Sequence, residues 1–147
     1  MKDLSFDIDI AAPVARVWDC MLDPIAYRDW TRAFCEGSYY EGSWAEGSRM
    51  RFRDPDGNGM DAIVEQNRLH ERLSLRLVDD LSQGRPNPDS PLTRSPAHEI
   101  YEFSATAGGG TRLAVHLKGW DDGFADMMAG LWPSALQRLK ALAESIH

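Results

Sequence analysis

The stretch FADMMAGLWPSALQRLKALAESI, residues 124–146, is the longest periodic segment of the chain. Phe124, Met128, Leu131, Ala135, Leu139, Leu142 and Ile146 recur at steps of three and four, and Met127, Trp132, Leu136 and Ala143 widen the same stripe. A stripe at that spacing is one face of an amphipathic helix, which must bury itself against another layer. Asp121 or Asp122 offers a capping carboxylate at its start. Pro133 removes the N–H that would reach the Ala129 carbonyl, so a kink or break is expected there.

The layer for this helix is written upstream in a different period. From Phe34 to Lys118 the candidates are short strands at 33–40, 48–54, 60–67, 71–79, 98–106 and 111–119. Met50 and Phe52 alternate with Arg49, Arg51 and Arg53; Leu73, Leu75 and Leu77 with Arg72, Ser74 and Arg76; Leu113, Val115 and Leu117 with Arg112, Ala114, His116 and Lys118. Each pattern has one apolar and one polar face, as in antiparallel sheets with one solvated side. Asp56-Gly57 and Gly108-Gly109-Gly110 read as hairpin turns. Residues 80–97 hold Pro86, Pro88, Pro91 and Pro96 and are expected to form a long loop or lid.

Before the strands, Leu4, Phe6, Ile8 and Ile10 alternate with polar residues as a half-buried strand does. Pro13 suits a first helical position, with Val14, Val17, Trp18, Met21 and Leu22 following at helical spacing. Asp23-Pro24 then starts a second short helix through Ile25, Tyr27 and Trp30, ending near Thr31. The order is β-α-α-β-β-β-β-β-β-α, an α+β arrangement in one domain over residues 1–147.

The chain has 147 residues, a formal net charge of −7, 43% hydrophobic and 27% charged residues. That length suits a single domain, and the apolar content is that of a globular protein. The acidic balance argues against nucleic acid as a partner, which needs a basic footprint, and against docking on an anionic membrane surface. No apolar run approaches the length of a membrane span or a signal peptide. The two cysteines, Cys20 and Cys35, are too few for a disulfide framework, and a cytoplasmic location is expected.

Motifs that bear chemistry are sparse. Asp54, Asp56, Asn58, Gly59 and Glu65 satisfy the spacing of an EF-hand calcium loop, but the flanking segments alternate like strands and Asp61 stands where that loop carries a buried aliphatic. A β-hairpin turn is the better reading. His70, His98, His116 and His147 lack ligand spacing, so neither a metal nor a cofactor is expected. Cys20 reads as a small buried hydrophobe and Cys35 as reachable at a strand start. The row Arg49, Arg51, Arg53 reads as a solvated face paired with carboxylates. The aromatic residues carry more: Tyr27, Trp30, Phe34, Trp44, Phe52, Tyr101, Phe103, Trp120 and Trp132, with Met128 and Leu136, either line a pocket or pack a core. Trp132, Met128 and Trp30, near the expected kink and the end of the second helix, are the foremost cavity candidates.

The same order of elements, together with Ala12-Pro13-Val14-Ala15-Arg16-Val17-Trp18, Tyr27, Trp30-Thr31, Phe34, Glu36-Gly37-Ser38, Trp44, Glu46-Gly47-Ser48, Phe52, Asp54 to Met60 and Trp132-Pro133-Ser134-Ala135-Leu136, resembles the START/Bet v 1-like (SRPBCC) superfamily. It is most similar there to bacterial single-domain proteins related to the C-terminal domain of the Hsp90 ATPase activator. The resemblance implies a helix-grip fold, with a curved antiparallel sheet around the C-terminal helix and an apolar cavity between them. It further implies a hydrophobic small-molecule ligand without catalysis, with a chaperone-associated module or a cyclase- or hydrolase-like enzyme as alternatives. The enzyme would need an acid or base in the pocket, for which Glu65, Glu102 and His98 are the candidates. Nothing in the sequence matches the additional N-terminal domain of the eukaryotic activator, so stimulation of Hsp90 is not expected. A homodimer is left open.

Overall fold

The computed structural model describes residues 1–90, 92 and 95–145. Pro91, Ile146 and His147 from the patterns above lie outside the described residues. The N-terminal alternation forms strand β1, Lys2–Ile10, with Leu4, Phe6, Ile8 and Ile10 on its more buried face. Helix α1 spans Val14–Leu22 and buries Val17, Trp18 and Met21; Pro13 is its N-cap rather than its first residue and makes no side-chain capping bond. In helix α2, Pro24–Trp30, the Asp23 carboxylate accepts from the amides of Ile25 and Ala26 at 3.0 Å, and Pro24 occupies the first turn. A 3-10 turn over Thr31–Ala33 follows directly.

The strand expected at 33–40 begins later, as β2, Tyr39–Gly42. The Phe34 amide still donates to the Thr31 carbonyl, and the Ser38 amide and hydroxyl both bond the Cys35 carbonyl, so the chain keeps turning through this stretch. The others are β3 Arg49–Arg53, β4 Gly59–Arg68, β5 Arg72–Ser82, β6 Arg85–Pro86, β7 Ala97–Ala105 and β8 Thr111–Trp120. All pair antiparallel in the order β1-β8-β7-β5-β4-β3-β2, with β6 on β5. Two-residue β6 is the one strand the alternation did not announce, since proline masks it.

Residues 80–97 therefore begin as a hairpin. Its tip is held by the turn between β3 and β4, where the Gly84 amide donates to the Gly57 carbonyl at 2.9 Å and the Gln83 amide to Asn58 Oδ1 at 3.1 Å. That turn is built by backbone needs. Asp54 Oδ1 accepts from the amides of Asp56 and Asn58, both at 2.9 Å, and Gly57 takes a left-handed φ of 85°. Gly59 is required for another reason: a Cβ there would sit 1.7 Å from the Phe52 carbonyl oxygen.

Helix α3 runs unbroken from Asp122 to Glu144, with Asp121 Oδ2 accepting from the Phe124 amide at 3.2 Å. The expected break at Pro133 does not occur. The proline lies on the exposed face, where water can serve the carbonyl it leaves without a donor. Ala125, Met128, Trp132, Ala135, Leu136, Leu139 and Ala143 form the buried stripe. Met127, expected to widen it, is 53% exposed. The helix lies closest to β1, α1, α2 and the 3-10 turn, and a gap separates its first half from the middle strands. Trp18 packs on Phe103 of β7, and both belong with Leu113 and Leu139 to the buried core.

The polar face of the sheet holds one buried charge. Asp61 has no exposed surface and accepts from Arg49 Nε and Nη2 and from Arg51 Nε and Nη2 at 2.7–3.0 Å. Burial alone would raise this carboxyl, and the guanidinium bonds from Arg51 and Arg49 outweigh it and hold it below the usual carboxylate range. Arg53 pairs instead with Glu41 at 3.0 Å. Asp61→Ala is expected to lower the unfolding free energy by about 2 kcal/mol in urea titration, and Arg49→Ala by less, since Arg51 remains.

Candidate functional site

Where α3 stands off the sheet, a cavity of about 400 Å³ opens between β3, β4, β5 and β7 on one side and the first half of α3 on the other, with α2 and the 3-10 turn closing an end. The sheet contributes Phe52, Met60, Leu75, Glu99 and Tyr101; α3 contributes Phe124, Met127, Met128, Leu131 and Trp132. Tyr27, Trp30, Thr31 and Phe34 form the end wall, and Trp44, Arg53, Asp54 and Asn58 are also in its lining. The partial exposure of Phe124, Met127 and Leu131 marks the α3 side of the mouth.

The wall is a connected set of rings. Trp132 touches Phe34 at 5.0 Å, Trp30 and Tyr101 at 6.1 Å and Phe6 at 6.3 Å between centroids. Tyr27 links Trp30 at 5.5 Å, Tyr40 at 5.0 Å and Phe52 at 6.2 Å. Three of these contacts, Trp132–Phe34, Tyr27–Trp30 and Tyr27–Tyr40, are edge-to-face, a geometry that fixes ring orientation. Trp30 is anchored by its Nε1, which donates to the Met21 carbonyl at 3.2 Å.

Of the residues singled out from sequence, Tyr27, Trp30, Phe34, Trp44, Phe52, Tyr101, Met128 and Trp132 meet in this lining. Phe103, Trp120 and Leu136 do not. Phe103 packs on Trp18 at 5.1 Å, Trp120 stacks on Phe124 at 5.0 Å while its Nε1 donates to the His98 carbonyl, and Leu136 is filled core. They face inward as the alternation and the stripe require, but at positions where the layers already touch. The 80–97 segment, expected as a loop or a lid, supplies none of the lining among the described residues; its hairpin tip is tied to the β3–β4 turn.

The acid–base candidates lie on the other side of the sheet. His98 Nε2 meets Glu65 at 2.9 Å, and His116 Nε2 meets Glu102 at 2.9 Å beside Arg72. Among the described residues the lining holds two carboxyls: Asp54, which binds the turn amides, and Glu99, which was not singled out. Its period-two partners Ala97, Tyr101 and Phe103 are all buried, and that alternation is the signal that could have found it. Glu99 is half-buried, with its remaining surface in the cavity lining. Burial pushes its carboxyl up to about 7, and the Tyr101 hydroxyl only partly opposes this. Burial likewise raises the phenols of Tyr101 and Tyr27. Cys35 is exposed, sits in the turn after Ala33 rather than on a strand, and borders the mouth; Cys20 is half-buried. Among the described residues no group of His, Cys, Asp and Glu could hold a metal ion, and no helix is long and apolar enough to cross a membrane.

One long helix laid across a single antiparallel sheet, with two short helices closing the end of an apolar cavity, defines a helix-grip domain of the START/Bet v 1-like (SRPBCC) class. Within it, the chain belongs to the family described as Activator of Hsp90 ATPase homolog 1-like protein, whose model matches residues 11–144. Among proteins of curated function none matches the sequence. Solved structures with the same fold include protein MLL2253 from Mesorhizobium loti (16% identity, 96% of each chain, TM-score 0.73). CalU16 from Micromonospora echinospora matches at 18% identity over 97% of this chain and 74% of that one, TM-score 0.70. The Aha1 dimer from Colwellia psychrerythraea matches at 17% over 98% and 97%, TM-score 0.70. At such identities the likeness is one of fold.

Proposed function

We propose that this protein binds an apolar or amphipathic small molecule in the cavity between the sheet and the first half of α3, without catalysing a reaction on it. The supporting observation is the cavity itself: about 400 Å³, walled by aromatic rings and methionines, beside a core where Leu73, Leu113 and Leu139 have no exposed surface. Ligand pockets have this size and this lining, with few polar groups. A domain that fills one end of its interior and holds the other open on large side chains keeps that space for an occupant. The methionines Met60, Met127 and Met128 add adaptable surface near the mouth.

Three of the five tryptophans, Trp30, Trp44 and Trp132, are in the lining, so their emission reports on entry. Titration with the neutral dye prodan is expected to show saturable binding of one molecule per chain, with energy transfer from tryptophan. Leu131→Trp, which adds bulk at the mouth, should weaken that binding about tenfold. Uptake of many dye molecules per chain, or binding indifferent to Leu131→Trp, would place the dye elsewhere and overturn the assignment.

A further inference from the structure

We propose that the cavity selects an apolar molecule bearing a protonated basic nitrogen, for which Glu99 is the counter-ion. The inference rests on the cavity being the ligand site and adds the chemical class of the ligand. Glu99 lies on the sheet floor, paired in register with Leu75 of β5 and Leu117 of β8, both buried and apolar. No described side chain brings a cation to it. Its own strand offers Tyr101 and α2 offers Tyr27. The stretch of α3 facing the cavity, with Met128, Leu131 and Trp132, has no charged group in the lining. Thr31 and Cys35 stand at the end wall and the mouth, as does Asp54, whose oxygens bind the turn amides. Among the described residues Arg53 is the one cation in the lining; it is ion-paired with Glu41 at 3.0 Å through an Nε that makes no hydrogen bond.

A carboxyl in apolar surroundings without a cation is costly unless something that visits the site offsets it. An alcohol would give it one hydrogen bond; an ammonium group would give it a hydrogen bond and a charge. The walls favour the second. The rings of Tyr27, Trp30, Tyr101 and Trp132 border the same space, and aromatic faces attract organic cations by about 0.5–2 kcal/mol each. The net charge of −7 draws cations rather than anions toward the mouth. An anionic ligand would meet Glu99 as a like charge.

Isothermal titration calorimetry at pH 7 with naphthylmethylamine, naphthalenemethanol and naphthoic acid compares three head groups on one apolar body. The amine is expected to bind about tenfold tighter than the alcohol, and the acid most weakly. Because burial raises Glu99 to about 7, part of it is protonated at this pH, and binding of the ammonium should release protons, read from buffers of different ionisation enthalpy. Glu99→Gln should cut the amine-to-alcohol ratio at least threefold, leaving only what the rings contribute, and abolish the proton release. If the alcohol binds but the acid is preferred, or if the amine keeps its full advantage in Glu99→Gln, the counter-ion role is wrong and the cavity assignment stands. If no probe binds, the cavity assignment fails and this inference with it.

Discussion

Trp132→Ala is expected to lower the unfolding free energy by about 3–5 kcal/mol, the largest loss from any single side chain of the cavity wall. Trp132 is 1% exposed and joins every layer: Phe6 on the edge strand, Tyr101 on the sheet floor, and Trp30 and Phe34 at the end wall. Its neighbours cannot close over the space it leaves, because the cavity already lies beside them and the remaining rings hold one another apart. The lost contacts and the enlarged void therefore add. Trp132→Phe should cost much less, about 1–2 kcal/mol, and for a specific reason. The indole Nε1 is buried without a hydrogen-bond partner among the described residues, so replacing it by a hydrocarbon ring removes an unsatisfied donor along with the packing. Urea denaturation of the three chains at neutral pH measures both differences. An alanine variant within about 1 kcal/mol of the parent would mean that the ring cluster is not a support of the fold.

The division between what was legible and what was not follows from which forces are local. The α3 stripe and the Leu73-Leu75-Leu77 alternation were legible because burial on one face imposes its period on the sequence. The Asp23 cap was legible because its bonds span three residues. Pro133 misled because its cost depends on which face it occupies, and the face outward from β1 is open to water. The sites of Phe103 and Trp120 misled differently: the alternation places a side chain inward, but only the stand-off between α3 and the middle strands decides whether inward means core or cavity. The same alternation placed Glu99 inward beside Tyr101. Its charge, between His98 and Glu102 of the opposite face, hides it among residues that face water.

Glu99 also sets an expected pH dependence. Burial raises its carboxyl to about 7 in the folded chain, against an ordinary value of 4.5 in the unfolded one. Between those values the folded chain holds a proton the unfolded chain has released. Stability from this group is thus fully present below pH 4.5, falls as pH rises through the window, and levels off above 7. The loss amounts to about 2–3 kcal/mol by pH 8, discounted for the part of Glu99 that keeps accessible surface in the cavity. Glu99→Gln cannot ionise, so the two chains should differ least at pH 5, and the variant should gain on the parent by about 2 kcal/mol between pH 5 and 8. Denaturation curves of the two chains from pH 5 to 8 test this directly, because every other titrating group is common to both and cancels in the difference. A difference that stays flat across the window would mean that Glu99 is solvated in the empty protein, and would remove the desolvated counter-ion from the cavity floor. A difference that opens with pH shows the protein carrying, at neutral pH, a group that weakens its own fold. Such groups cluster at binding and active sites, and a cationic ligand that ionises Glu99 would return the lost stability on binding.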